Sequence, residues 1–271
     1  MAAAASTLPA LPPSDALTAM RGAAPLTHCI TNYVAMAMAA NAILAAGASP
    51  AMIHAEEEVA DFVPVAAALT INIGTLSAPW AKAMLTAAET ANDVGKPWVL
   101  DPVAHFATPY RSQVTKELAT LKPSIIRGNA SEIITLAGEQ GAGKGVDSGD
   151  SVDAATSAAK ALAEETGAIV AVTGETDLVT NGTRSTLIAG GSERMPKITA
   201  MGCALTGVMG AYAAVAAPFE AAIAACAHFA EAGTQAHKAS QGPGSFLPAF
   251  MDALEATDQS GIAAVSVGQV G

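Results

Sequence analysis

The sequence predicts a three-layer α/β/α fold in which helices cover both faces of a mostly parallel central sheet. This prediction depends on two observations. Short apolar segments typical of buried strands alternate with longer segments of helical periodicity along most of the 271 residues. Polar residues or glycines follow most of the short apolar segments, at the places where open parallel sheets bind ligands. No long linker or repeat divides the chain, so residues 15–260 are predicted to form a single domain.

Six strands are predicted to form the parallel part of the sheet, because each is a short apolar run bounded by Gly, Pro or polar residues. They lie at residues 25–30, 50–54, 68–73, 97–100, 124–126 and 168–172. A hairpin follows at residues 177–180 and 184–189, since Asn181-Gly182 is typical of a two-residue type I′ turn. The hairpin adds antiparallel strands near one edge of the sheet.

Helices are predicted between these strands and after the hairpin. They lie at residues 15–22, 31–47, 77–94, 110–121, 129–137, 152–166, 202–215, 219–240 and 247–256, and another begins at the acidic residues 56–58. Thr31 or Asn32 provides an N-cap for the second helix, and Gly47 provides its stop. The glycine-rich residues 138–149 are predicted to form a loop.

The composition limits the classes of function. Hydrophobic residues make up 51% of the chain and charged residues 14%, which indicates a large buried area or a subunit interface. The net charge is −11 and no basic stripe is present, so we expect no nucleic-acid partner. Three cysteines without metal-like spacing indicate a reducing, cytoplasmic location.

The two ends of the chain and one uncharged stretch do not have the features of targeting or membrane-spanning segments. Residues 1–14 are rich in Ala and Pro and lack a basic region, so they are predicted to be a disordered tail. Residues 22–53 carry no charge and could span a bilayer. Asn32, Gly47 and Pro50 interrupt that stretch, which favours a buried or interface helix and strand, and no membrane partner is expected. Residues 261–271 are predicted to be a frayed C-terminus.

Asp101 follows an apolar strand and precedes Pro102, which ends strand pairing. A carboxylate at a strand end can hold Mg²⁺ directly or through water. A simple turn-forming Asp-Pro pair explains the same residues. Asp101 is therefore a candidate metal ligand with a structural alternative.

Arg127 ends the next predicted strand, where its guanidinium is suited to phosphate. Asn129 and Glu132 have the spacing of an N-cap and its N3 partner, so they also fit a capping box. The two roles are compatible, because a capped helix start can still present the Glu132 carboxylate to a hydrated metal ion.

A turn of small residues at 199–203 leads into a long apolar helix. Backbone N–H groups at such a helix N-terminus form an anion site. Cys203 lies in the first turn, where a thiolate is favoured. A buried thiol packed against the sheet is the structural alternative.

Two other patterns are rejected as functional motifs. Gly138, Gly143 and Lys144 match most of a Walker A motif, but Gly145 replaces its Ser or Thr, and the segment follows a helix rather than a strand. The five histidines share no metal-like spacing, so a zinc site is not expected.

Nine segments in fixed order resemble the hydroxyethylthiazole kinases of thiamine salvage, which are ribokinase-like enzymes. The resemblance extends over about residues 25–256. The segments are His28–Asn32 (HCITN), Gly47–Met52 (GASPAM), Asn72–Thr75 (NIGT), Leu100–Val103 (LDPV), Ile126–Glu132 (IRGNASE), Gly143–Asp147 (GKGVD), Val172–Glu175 (VTGE), Gly202–Leu205 (GCAL) and Gly242–Phe246 (GPGSF). The resemblance implies a ribokinase-like three-layer fold and phosphorylation of 4-methyl-5-(2-hydroxyethyl)thiazole by ATP.

The resemblance also implies roles at the phosphate side of a site. Arg127 and Thr173 match ATP-contacting positions, and Asp101 and Glu132 match an acidic pair around Mg²⁺. Cys203 matches the position at which most ribokinase-like kinases carry a general-base Asp. The amides of residues 200–203 would receive the transferring γ-phosphoryl group, with Cys203 as a weak base or a positioning group.

On the thiazole side, the resemblance and the strand ends together give five candidate substrate-binding residues: Asn32, Met52, Gly74, Ala200 and Gly202. The family is trimeric with sites between subunits, so a homotrimer is expected. The family usually has glycine at the position of Ala200. If that residue needs a positive φ, Ala is costly there; if not, its methyl group only narrows the pocket.

Three other functions stay open from the sequence. One is a kinase of another small alcohol, since Ala200 and Met201 alter the usual turn. Another is an ATP-dependent dehydratase of hydrated nicotinamide cofactors, although those enzymes normally carry Asp where this chain has Cys203. The last is a nucleotide- or thiazole-binding protein without catalysis.

Overall fold

The computed structural model describes residues 8–138 and 152–270, without the side chains of residues 152–154 and 270. Nine of the described segments form one sheet with the strand order β2-β1-β3-β4-β5-β6-β7-β8-β9. The strands are β1 (Leu26–Ile30), β2 (Ser49–Ala51), β3 (Ala68–Asn72), β4 (Trp98–Asp101), β5 (Ile125–Asn129), β6 (Ile169–Thr173), β7 (Thr176–Thr180), β8 (Ser185–Ala189) and β9 (Ser266–Val270).

The strands β1 to β6 are parallel, and β7, β8 and β9 continue the sheet in antiparallel pairing. Because parallel strands end on the same side, the residues that follow β1 to β6 meet at one edge of the sheet. The mostly parallel sheet and the antiparallel hairpin predicted from the sequence are both confirmed.

Helices cover both faces of this sheet. They are α1 (Pro13–Ala23), α2 (Met36–Ala46), α3 (Val59–Phe62), α4 (Ala78–Asp93), α5 (Pro109–Thr120), α6 (Ala130–Leu136), α7 (Val152–Thr166), α8 (Met201–Ala213), α9 (Pro218–Ala239), α10 (Pro243–Ala256) and α11 (Gln259–Ala264). None of the helices in the described residues is long and apolar enough to cross a membrane.

The strand side chains alternate between two separate hydrophobic clusters, one on each face. Val99 packs with the cluster that contains α1, α2 and α8 to α10, whereas its neighbours Trp98 and Leu100 pack with the cluster of α3 to α7. Ala171 and its neighbours alternate in the same way. This period of two is the signature of a strand buried on both faces, and it confirms the three-layer fold.

Glycines bring α8 unusually close to its neighbours. A Cβ atom built on Gly207 would lie 2.9 Å from Ile43 Cδ1 in α2, and one on Gly210 would lie 3.0 Å from Thr27 Cγ2 in β1. The abundance of small residues therefore serves close packing of helix against helix and sheet. It also fixes the N-terminus of α8 above the strand ends.

The ends of the chain differ from the sequence prediction. Residues 261–271 were expected to be frayed, but α11 and β9 occupy residues 259–270, and β9 pairs with β8 along five residues. Main-chain hydrogen bonds hold this edge strand, so its sequence needs no apolar pattern. Of the tail predicted at 1–14, residues 1–7 lie outside the described residues, whereas Leu11 packs on the core and Pro13 begins α1.

The hairpin between β7 and β8 also differs in detail. Thr180 pairs with Ser185, which leaves a four-residue connection rather than the expected two-residue type I′ turn. Asn181 does not adopt the positive φ that a type I′ turn requires. Its side-chain oxygen instead accepts hydrogen bonds from the backbone N–H groups of Thr183 and Arg184. The Asn side chain thus closes a longer loop.

Arg21 joins three helices far from the strand ends. Its guanidinium donates hydrogen bonds to the carbonyl oxygens of Ala46 in α2, Leu254 and Glu255 in α10, and Thr257. Carbonyl oxygens at helix C-termini lack intrahelical partners, and a cation there is electrostatically favourable. Arg21 is therefore a purely structural arginine held by backbone oxygens.

His228 is a fully buried histidine of α9 with two partners. Its Nε2 must donate to the carbonyl oxygen of Leu254 at 2.9 Å, so Nδ1 accepts from the Tyr212 hydroxyl at 3.0 Å. Burial lowers the pKa of His228 to about 4. The fold therefore favours the neutral imidazole.

We predict that His228 makes the fold acid-sensitive. The folded pKa lies below 6.5, the ordinary value for a histidine side chain. Its stabilising contribution is therefore complete above that value and is lost as the pH falls through the folded pKa. The loss between pH 7 and pH 4 amounts to about 3 kcal/mol. His228→Gln keeps both hydrogen bonds without a titrating group, so urea unfolding at the two pH values is expected to show a smaller loss. Equal losses in the variant and the wild-type protein would contradict this prediction.

Candidate active site

Polar side chains from four adjacent strands meet at the carboxyl edge of the sheet. Asn72 ends β3 beside Asp101 of β4, and Thr173 ends β6 beside β5, which carries Arg127. These strands are mainly apolar, so the buried polar side chains at their ends require specific partners. The side chains provide those partners for one another.

Asp101 lies at the centre of this group and is completely buried. Its Oδ2 accepts hydrogen bonds from Asn72 Nδ2 and Thr206 Oγ1, both at 2.7 Å, and forms an ion pair with Arg127 Nη1 at 3.5 Å. Its Oδ1 is buried and has no hydrogen-bond partner among the described residues. Burial raises the pKa of Asp101 to about 6, although the positive charge of Arg127 opposes the increase. One carboxylate oxygen is thus fixed, and the other has unused capacity to accept a ligand.

Arg127 lies beneath the start of α8. Its Nη2 donates to Thr173 Oγ1 at 2.5 Å. A Cβ atom on Gly202 would lie 2.6 Å from Arg127 Nη1, so only glycine lets the guanidinium pack against this turn. Burial lowers the pKa of Arg127, but the carboxylates of Asp101 and Glu132 outweigh that effect and raise it overall. Arg127 is therefore a permanent positive charge at the strand ends.

A second set of contacts joins β1, β3 and α8. Asn32 Nδ2 donates to Asn72 Oδ1 at 2.8 Å and lies 3.4 Å from Cys203 Sγ. The backbone N–H of Gly74 donates to the same Asn72 oxygen at 2.9 Å. A Cβ atom on Gly74 would lie 2.7 Å from Asn32 Cγ, so the absence of a side chain at Gly74 makes room for the Asn32 amide.

Cys203 does not have the thiolate character that its place in a first helical turn predicts. Burial raises the pKa of Cys203 to about 11, and the negative charge of Asp101 adds to the increase, while Arg127 opposes it. The helix N-terminus is a weaker influence than burial beside a carboxylate. Cys203 is a protonated thiol at neutral pH.

The turn before α8 has the geometry of an anion site. The first hydrogen bond of the helix runs from Ala204 N–H to Ala200 C=O, so the N–H groups of Gly202 and Cys203 precede the intrahelical pattern. Ala200 has φ 61° and ψ 12°, in the left-handed region. Here the position does require a positive φ, and Ala in place of glycine adds strain to the turn.

Glu132 is held on three sides at the start of α6. Asn129 and Glu132 form the predicted capping box: Glu132 N–H donates to Asn129 Oδ1 at 2.9 Å, and Asn129 N–H donates to Glu132 Oε2 at 2.8 Å. Glu132 Oε1 accepts from the backbone N–H of Ala104 at 2.9 Å. The carboxylate is therefore buried and fixed close to the Asp101–Arg127 pair, since its charge affects the pKa of both.

Met52 lies one residue beyond β2, half-buried against the hydrophobic cluster that contains α2 and α8. It is therefore at the same edge of the sheet as the polar group, two strands from β3. The loop predicted at residues 138–149, with the rejected Gly143-Lys144-Gly145 pattern, lies outside the described residues except for Gly138. The functional roles predicted for the site residues stay predictions.

The structure adds two residues that the sequence reasoning missed as site candidates. Asn72 bridges Asn32 and Asp101, and Thr206 donates to the same Asp101 oxygen. Each is a polar residue in an otherwise apolar element, which is the sequence signal that identifies it. Thr206 also lies four residues after Gly202, one helical turn below the anion site.

The fold is shared with small-molecule kinases. A pyridoxal kinase from Staphylococcus aureus in complex with ADP has a similar fold, with a TM-score of 0.67 and 18% identity over 90% of this chain and 98% of that chain. The model of the Hydroxyethylthiazole kinase family matches residues 17–260. The chain belongs to that family.

Relatives in this family are similar to the chain over nearly its whole length. Hydroxyethylthiazole kinase of Roseobacter denitrificans is 57% identical over 93% of this chain and 98% of its own length. The enzyme of that name from Gemmatimonas aurantiaca is 59% identical over 92% and 90%, respectively. The structure of the hydroxyethylthiazole kinase protein from Pyrococcus horikoshii OT3 is 37% identical, with a TM-score of 0.89 over 96% of this chain and 99% of that chain. These similarities confirm the resemblance inferred from the sequence.

We predict that Ala200→Gly stabilises the protein by about 1 kcal/mol, because glycine adopts positive φ without the steric cost of a Cβ atom. Ala24 also has a positive φ of 42°, at the end of α1. Ala24→Gly is therefore the matched control and should give a similar gain in urea unfolding. If Ala24→Gly stabilises the protein and Ala200→Gly does not, the turn before α8 carries no backbone strain.

Proposed function

We propose that the protein transfers the γ-phosphoryl group of ATP to the hydroxyl group of 4-methyl-5-(2-hydroxyethyl)thiazole, as a step of thiamine salvage. The observation that carries the proposal is the buried Asp101–Arg127 pair directly beneath the amides at the start of α8. The names of the Roseobacter denitrificans and Gemmatimonas aurantiaca relatives support the choice of thiazole as the acceptor.

The phosphate side of the site is built from positive and dipolar groups. Arg127 and Thr173 are proposed to contact ATP, and the N–H groups of Gly202 and Cys203 to receive the γ-phosphoryl group. Arg127 stays charged and is already held by Asp101 and Thr173, so little reorganisation accompanies the reaction. Phosphoryl transfer depends mainly on such positioning and charge stabilisation.

The acidic pair fits a hard divalent cation. The buried Asp101 Oδ1 has no hydrogen-bond partner in the part of the chain that the structure describes, and the Glu132 carboxylate is fixed close enough for its charge to raise the pKa of Asp101. Among the described residues, no three His, Cys, Asp or Glu side chains could hold a metal ion together. Mg²⁺ commonly uses one or two carboxylates, water and substrate phosphates. We therefore propose that Asp101 and Glu132 hold Mg²⁺, which when bound neutralises phosphate charge.

The thiazole is proposed to bind along Asn32, Met52, Gly74, Ala200 and Gly202. Asn32 presents its amide beside Cys203, and Gly74 gives it room. Ala200 is the left-handed N-cap residue of α8, three residues before Cys203. The Cβ atom of Ala200 narrows this end of the site compared with glycine. Ala200 is therefore the position at which the choice of acceptor alcohol is tested.

Cys203 is proposed to position the acceptor hydroxyl and not to remove its proton. A thiol whose pKa is about 11 is almost entirely protonated at neutral pH. A loose transition state needs little deprotonation before the P–O bond to ADP breaks, so a strong base is unnecessary. The acceptor oxygen forms a bond to phosphorus, the P–O bond to ADP breaks with its electron pair leaving on ADP, and the hydroxyl proton passes to water or a phosphate oxygen.

A homotrimer with sites between subunits, in the cytoplasm, is proposed as the working form. Tyr33, Val34 and Leu44 are large apolar side chains with exposures of 67%, 59% and 58%. They lie in the uncharged stretch 22–53, on or just before α2. An exposed apolar surface of this kind supports a protein–protein interface next to Asn32.

The test of this function is release of ADP by the purified protein with Mg²⁺-ATP, with and without the thiazole. Thiazole-dependent release is expected. Folded protein that binds the thiazole without releasing ADP would favour a binding protein, and release with another small alcohol alone would give a different kinase. Turnover of hydrated NADH would favour the dehydratase. Each of these results contradicts the proposal.

We predict that Cys203→Ala lowers kcat by less than about tenfold and leaves the shape of the pH–rate profile unchanged, because the thiol is not the base. Removing a general base typically costs about 10²–10⁴-fold. Cys29→Ala, which removes another buried thiol, is the control for packing. A loss within the general-base range in Cys203→Ala alone, restored by Cys203→Asp, would assign the proton transfer to this position.

A further inference from the structure

Arg111 connects two strand-end loops of the site without belonging to either. It lies in the first turn of α5. Its Nη1 donates to the carbonyl oxygen of Gly74 at 3.0 Å, in the loop after β3. Its Nε donates to the carbonyl oxygen of Ala104 at 3.1 Å, and Nη2 donates to that of Val103, in the loop after β4. One rigid guanidinium thus sets the distance between the two loops.

The position of Arg111 is unfavourable for α5 itself. A positive charge near a helix N-terminus opposes the helix macrodipole. Burial also lowers the pKa of Arg111, although the charge of Glu132 opposes that decrease. Arg111 forms no ion pair within the described residues, where its partners are three carbonyl oxygens. The placement is therefore explained by the loops it holds.

Ala104 shows why the loop after β4 needs to be held. It has φ 47°, a left-handed conformation that costs about 1–2 kcal/mol for a residue with a Cβ atom. Its N–H donates to Glu132 Oε1, while its C=O accepts from Arg111 Nε. The strained residue is thus fixed on both sides, and its orientation sets the position of the Glu132 carboxylate.

Gly74 is fixed in the same manner on the other side. Its C=O accepts from Arg111, and its N–H donates to Asn72 Oδ1. The same Asn72 oxygen accepts from Asn32. A shift of the Gly74 backbone therefore moves the amides of Asn32 and Asn72, the second of which holds Asp101.

We propose that Arg111 is a positioning residue that couples the acceptor side of the site, at Gly74 and Asn32, to the metal side, at Glu132. It touches no reacting atom and acts through the backbones of Gly74 and Ala104. The inference rests on the proposed function, because it uses the thiazole and Mg²⁺ assignments made there. Loss of the Arg111 side chain is expected to loosen both sides together.

The test compares Arg111→Gln with Arg21→Gln in the full-length protein. Both changes remove a guanidinium that donates to backbone carbonyl oxygens, but Arg21 lies far from the strand ends. Mn²⁺ affinity in the presence of AMP-PCP is measured by electron paramagnetic resonance, and thiazole affinity by titration calorimetry. Neither readout depends on turnover, and the melting temperature is recorded for each variant.

Arg111→Gln is expected to weaken Mn²⁺ binding and thiazole binding by about tenfold each, the loss typical of removing an outer contact to a ligand-holding group. Arg21→Gln is expected to lower the melting temperature and leave both affinities unchanged. Arg111→Lys keeps the positive charge and is the variant more easily accommodated by the fold. One ammonium group cannot hold three carbonyl oxygens in the geometry of a guanidinium, so Arg111→Lys should weaken both affinities as well.

Unchanged affinity for either ligand in both folded Arg111 variants would overturn the coupling role. A fall in melting temperature alone, as in Arg21→Gln, would make Arg111 a structural tether only. A different result would concern the wild-type protein. If it binds Mn²⁺ with AMP-PCP but does not bind the thiazole, the proposed substrate is wrong, and so is the role of Arg111 in positioning that substrate through Gly74 and Asn32. The failure of the inference is thus distinguishable from the failure of the proposed function.

Discussion

The rest of the site depends on the buried ion pair between Asp101 and Arg127. A buried carboxylate without a positive partner would be strongly destabilising, and a buried guanidinium equally so. The pair is therefore tolerated only because Asn72 and Thr206 donate hydrogen bonds to Asp101 and Thr173 Oγ1 accepts one from Arg127. These partners come from β3, α8 and β6, so the pair brings three elements to one point. The close approach of Arg127 to Gly202 then determines where α8 begins, and with it where an anion binds.

Two of the four left-handed non-glycine residues in the described part of the chain lie beside this pair, and the other two, Ala24 and Lys122, lie elsewhere in the fold. Ala104 and Ala200 both have left-handed backbones, and they flank the pair from the loop after β4 and from the turn before α8. Left-handed non-glycine residues persist only where the surrounding structure holds them. At Ala104 that structure is Arg111 and Glu132, and at Ala200 it is the start of α8. Ala104 and Ala200 thus lie in two segments that border the pair.

The sequence predicted the three layers of the fold and most of the residues at the strand ends. Both predictions use local signals: the periodicity of apolar residues, and the polar residues that follow each apolar run. It did not identify Asn72, whose side chain acts inside a strand, or Arg111, whose acceptors are backbone oxygens of two distant loops. The sequence left both a thiolate and a buried thiol open at Cys203, and burial beside Asp101, which raises the pKa, favours the thiol. The strand β9 escaped prediction because backbone pairing with β8, and not side-chain pattern, holds it.

The central claim is that phosphoryl transfer takes place where the Asp101–Arg127 pair meets the start of α8. The most direct measurement is a crystal structure with Mn²⁺, AMP-PCP and the thiazole, in which the anomalous signal locates the metal ion. The account predicts Mn²⁺ beside Asp101 and Glu132, and the γ-phosphate within hydrogen-bond distance of the Gly202 and Cys203 amides. A γ-phosphate bound away from both Arg127 and the α8 N-terminus would contradict it.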